Sequence, residues 1–96
     1  MNIFQILDCM DLNALLDMGL ECPENFRQLL PDGSNALHFL MEKLKTMPAQ
    51  LKNPYIKTIV SYIINQGRVN PFHKRTSDEK TPFQLYQEMK LEILWY

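Results

Sequence analysis

Apolar residues recur at three- and four-residue spacing along most of the chain, so the pattern predicts helices. Ile3, Ile6, Leu7 and Met10 form the first stripe, and Asn2 stands before it as a cap. Asp11 is placed to cap a second short helix carrying Leu12, Leu15 and Leu16. Gly19 is expected to end it, because glycine takes the left-handed C′ conformation without a steric penalty. The segment from Glu21 to Pro31 reads as a connection with a helical turn. Pro23 opens that turn, Phe26, Leu29 and Leu30 are its apolar residues, and Pro31 ends it.

A longer stripe follows: Leu37, Leu40, Met41, Leu44 and Met47, with Glu42, Lys43 and Lys45 on the outer side. Asn35 is its cap and Pro48 its stop. Asn53 and Pro54 restart a helix whose buried stripe is Ile56, Ile59, Val60, Ile63 and Ile64, with Gly67 as its end. Arg68 to Lys80 is polar and predicts an irregular loop. Thr81, Pro82 and Gln84 then make a capping box with proline at the first helical position, followed by Leu85, Met89 and Ile93.

Composition narrows the picture. Ninety-six residues, 46% of them apolar, make one small domain. Ten basic against eleven acidic residues exclude a broad nucleic-acid or anionic-membrane surface, which needs a basic excess. Two cysteines, Cys9 and Cys22, are too few for a disulfide scaffold and read as reduced thiols. Asp8 and Asp11 interrupt the first apolar run, and no stretch is long enough to span a bilayer, so a cytoplasmic protein is expected.

Three pieces of the chain, in order, resemble an ankyrin repeat. Asp32-Gly33-Ser34-Asn35-Ala36-Leu37-His38 is similar to the D-x-G-x-T-P-L-H opening, with Asn35 for Thr and Ala36 for Pro. Ile59 to Asn70 is similar to the second helix and closing turn, and Asp78-Glu79-Lys80-Thr81-Pro82-Phe83-Gln84 is a weaker second opening, with Glu79 where the family has Gly. Asn35 and Thr81 lie 46 positions apart, against about 33 for a regular repeat. The excess falls around Lys45–Asn53, an insertion. The resemblance implies an all-α solenoid of two to three degenerate ankyrin-like repeats. Its parts would be an N-terminal capping repeat and finger (1–31), a central repeat (32–76) and a C-terminal partial repeat (77–96).

The resemblance also implies a non-catalytic module that grips a protein partner with finger loops and one helix face. Carried over by position, it points to Asp32 and Ser34, to Glu42 and Lys43, and to Asp78, Lys80 and Glu88. Arg75 is added from its place in the second finger. A monomer or weak dimer is expected. Stand-alone proteins of this kind suggest a bacterial or viral effector or regulator, delivered into a host cell. A rival reading is a small inhibitor or adaptor that binds through the Lys45–Asn53 insertion and the Trp95-Tyr96 end.

Candidate chemistry is sparse. In the resembled motif the His at position 38 is structural, holding neighbouring turns; the alternative is a catalytic base. His73, in a polar finger, is expected to face solvent. Cys9, Cys22, His38 and His73 include no close ligand pair of the kind zinc sites use, so no metal or cofactor is expected. No nucleophile-elbow, zincin, phosphate-loop or dinucleotide motif is present, so catalysis is not expected.

Overall fold

The computed structural model describes residues 2–46 and 54–88. Helices and turns account for their regular structure, with no strand among the described residues. Helix α1 spans Ile3–Cys9 and α2 spans Leu12–Glu21; a 3₁₀ turn covers Pro23–Arg27. Helix α3 runs Ala36–Thr46, α4 Pro54–Asn65 and α5 Pro82–Glu88. The all-α expectation therefore holds.

The starts of these helices follow from their caps. Asn2 accepts the Gln5 N–H at 2.9 Å while the Gln5 side chain accepts the Asn2 N–H at 2.8 Å, a closed capping box. Asp11 accepts from Ala14 N–H at 3.1 Å. Met10, between the two helices, takes φ +53° and so turns the chain from one into the next.

Gly19 does not act as the sequence suggested, whereas Gly67 follows the end of α4 at Asn65 as expected and has a packing role besides. Gly19 lies inside α2, which continues to Glu21. It is buried because the Tyr62 ring of α4 rests on it, and a Cβ there would collide with that ring. Tyr62 Oη donates to the Leu16 carbonyl at 3.1 Å, and Gln66 Nε2 to the Gly19 carbonyl at 2.7 Å, so this contact holds α2 to α4. Gly67 likewise admits a ring, Phe26 of the 3₁₀ turn. The left-handed residue after α4 is Arg68, at φ +54°, not Gly67. The 3₁₀ turn also ends earlier than Pro31, at Arg27, because Gln28 is already extended.

Helix α3 is the hub. It packs against α1, α4 and α5, while α2 packs on α1 and on the 3₁₀ turn. Its Leu37, Leu40, Met41 and Leu44 are at most 1% exposed, as the spacing predicts. Ile3, Phe4, Ile6, Leu7, Leu15, Phe26, Ala36, Ile56, Ile59, Val60, Ile63, Val69 and Leu85 complete the core among the described residues. Removing one of the large side chains among these to Ala costs about 2–5 kcal/mol. Ile64 is half-buried, and of the α2 leucines only Leu15 is buried. Leu12 and Leu16 instead border an apolar groove with Tyr55 between α2 and α4. Met47, Pro48, Asn53, Met89, Ile93, Trp95 and Tyr96 lie outside the described residues. Among the described residues, no helix is long and apolar enough to cross a membrane.

Candidate functional site

The candidate site grows from two turns that share one geometry. In the first, Asp32 Oδ1 accepts the Ser34 N–H at 3.0 Å, and Gly33 takes φ +82°. Asn35 Oδ1 then accepts the His38 N–H at 3.0 Å, while His38 Nδ1 accepts the Asn35 N–H at 3.0 Å. In the second, Asp78 Oδ1 accepts the Lys80 N–H at 3.0 Å, and Glu79 takes φ +58°. Thr81 Oγ1 accepts the Gln84 N–H at 3.1 Å, while the Gln84 side chain accepts the Thr81 N–H at 2.8 Å. Asp, left-handed residue, cap and reciprocal acceptor recur at equal offsets, with His38 in the role of Gln84. Glu79 occupies the left-handed position that Gly33 fills in the first turn, at the usual cost of a non-glycine residue there.

The two turns are bonded to each other. The Asp32 carbonyl accepts both the Thr76 N–H, at 2.9 Å, and the Thr76 hydroxyl, at 2.8 Å. His38 is 0% exposed and reaches the Lys80 carbonyl with Nε2 at 2.8 Å. Nδ1 lies 3.0 Å from both the Asn35 N–H and the Asn35 Oδ1, and the Lys80 carbonyl faces Nε2; a neutral ring with its proton on Nε2 satisfies the backbone N–H and that carbonyl together. Burial holds the His38 pKa below its ordinary value of 6.5. His73 is half-buried, its ring edge-on to His38 at 6.2 Å, rather than facing solvent as expected.

A band of charge runs over these turns. Arg75 holds Asp78 with two bonds, Nε to Oδ1 and Nη2 to Oδ2, each 2.8 Å, and reaches Glu42 of α3 at 3.4 Å. Glu42 also pairs with Lys45 at 3.6 Å, and Lys80 pairs with Glu88 at 2.8 Å. The Asp78 hydrogen bond pushes the Arg75 pKa up, and the guanidinium holds the Asp78 carboxyl well below the usual range. Lys80 is raised by its bond to Glu88, and Glu88 is lowered by the same bond. Asp32 is lowered first by the Ser34 backbone N–H.

The structure thus brings Asp32, Arg75, Asp78 and Lys80 to the two turns, with Glu42 from the second half of α3 and Glu88 at the end of α5 tied to them by ion pairs. Two predicted residues stand apart. Ser34 is 3% exposed, so it shapes the turn and offers no surface. Lys43 points to α1, where its amine bonds Asp8 at 2.9 Å. Arg75, with 12% of its side chain exposed, staples the finger to α3 more than it displays charge. Lys45 and Thr76 belong to the same assembly and were missed. The Asn2/Gln5 capping box was legible, since it has the spacing of Thr81/Gln84.

Among the described residues, no group of three His, Cys, Asp or Glu side chains is placed to hold a metal ion. Cys9 is exposed and Cys22 half-buried, both free thiols. No family model matches this chain, and no curated protein or solved structure matches it.

Proposed function

We propose that the chain is a short stack of degenerate ankyrin-like repeats that binds a protein partner without chemistry. The observation that carries this reading is the recurrence of one turn-and-cap geometry in two turns bonded side by side through His38 and Thr76. The left-handed Glu79, where the resembled family has Gly, supports the same reading. The contacts of α3 with both α1 and α5 suit units that bury their apolar faces on one another. The step from stack to partner goes through the resemblance, since fold alone does not fix function. The surface would be the charged band of Glu42, Asp78, Lys80 and Glu88, whose side chains are 35–45% exposed.

In this reading the charges are already paired within the chain. They give orientation and partner choice, and a partner gains little raw affinity by replacing one pair with another. Such a stack offers an interface near the ~800 Å² per partner of a standard complex.

The test is affinity capture from candidate cell extracts, followed by mass spectrometry. The wild type is compared with the double swap Lys80→Glu/Glu88→Lys. The swap keeps an ion pair at this place and reverses the charge pattern displayed. A partner captured by the wild type and lost by the swap supports the charged band. Equal capture by both removes the band from the interface.

A further inference from the structure

A cleft with a largely apolar floor and two arginines at its edge shares no residue with the charged band. Phe26 seats its ring on Gly67, and the residues that follow each of these, Arg27 and Arg68, line one cleft of about 220 Å³. His73 and Asn70 line it as well, Leu29 gives it an apolar border, and no carboxylate takes part. Both arginines are exposed. Among the described residues, neither guanidinium has a hydrogen bond or an ion pair. Lys43, Lys45, Arg75 and Lys80 each have a carboxylate partner. The two unmatched guanidinium groups are therefore fixed at their backbones by one packing contact and share one cleft.

Arg68 adds a separate observation. It occupies the left-handed position after α4, where Asn or Gly sits with less strain. Strain at one residue is a pointer to what its side chain does.

We propose that this cleft binds the carboxylate of an acidic side chain from a protein partner, beside an apolar neighbour that packs on Leu29. Arginine is the residue best suited to a carboxylate, through its planar fork of donors. The cleft is smaller than the 300–1,000 Å³ usual for a whole small-molecule ligand. It suits one side chain. Leu29, 53% exposed at its border, favours a peptide over a bare anion. A net charge of −1 offers no extended field for a nucleic acid.

The experiment follows backbone amide shifts of the full chain by NMR during titration. The probe is a capped tetrapeptide of alternating leucine and glutamate. Its glutamine analogue and inorganic phosphate are titrated in parallel. Saturable shifts at Arg27, Arg68, Asn70 and His73 with the acidic peptide, absent with the analogue, are expected. Arg27→Gln and Arg68→Asn should each weaken binding about tenfold, the scale of one charge-assisted hydrogen bond. Asn keeps the left-handed backbone, so the second variant removes the charge without disturbing the turn. Equal response to both peptides, indifference to both substitutions, or a response to phosphate alone would each overturn the proposal.

Discussion

His38 is one of the residues that join the two turns, and burial lowers its pKa. Its folded pKa lies below the ordinary 6.5, so the unfolded chain takes up a proton first as the pH falls. Its contribution to stability is full above about pH 6.5 and declines below that value, by up to about 1.4 kcal/mol per pH unit. Denaturant melts between pH 7.5 and 5 should show this decline, and His38→Gln should flatten it. An unchanged slope in the variant would remove His38 as the source. The glycines make a second residue-scale prediction. At Gly67 an added Cβ meets the root of a fully buried ring, Phe26, which cannot retreat. At Gly19 it meets the outer end of Tyr62, a half-buried side chain that can. Gly67→Ala should cost about 2–3 kcal/mol. Gly19→Ala should cost about 1 kcal/mol or less, because Ala returns about 1 kcal/mol of helix propensity. Thermal melts of both variants check the order.

Helices α1, α2, α3 and α5 start where a side chain accepts the first free amides, whereas the 3₁₀ turn opens on Pro23 with no side-chain cap. Asn35 does this for Leu37 and His38, and its Nδ2 also donates to the Asn70 carbonyl at 3.0 Å. Thr81 caps α5 and makes no such bridge among the described residues. Asn35→Ala should therefore cost about 2 kcal/mol and Thr81→Ala about 1. Asn35→Thr should recover the cap and leave the bridge lost, an intermediate result in the same melts. Caps and stripes were legible in the sequence because they are local: a short polar residue and a three-to-four spacing suffice for Asn2, Asp11, Asn35 and Thr81. What was not legible was tertiary. Gly19 reads as a helix end because a terminal glycine and a ring-bearing glycine look alike in one dimension, and the ring seated on Gly67 past the end of α4 is equally invisible there. The burial of Ser34 and the turn of Lys43 toward Asp8 depend on where α3 sits against its neighbours, which no spacing encodes. Glu79 was noted as a missing glycine, yet its backbone takes the glycine-like conformation all the same.

At the scale of the molecule, the same turn occurs twice and the copies are joined across 42 residues by His38 and across 44 by Thr76. Arg75 adds a third tie, from the second finger to α3. This repetition is the foundation of the stack reading, and the His38–Lys80 bond is its keystone. The direct measurement is long-range proton–nitrogen NMR of the His38 ring in the intact chain, followed down the pH scale. The account predicts a protonated Nε2 coupled to the Lys80 carbonyl, a bare Nδ1, and a neutral ring persisting below pH 6.5. A proton on Nδ1, or a ring that titrates at or above 6.5, would mean that the two turns are not clasped and would contradict the stack.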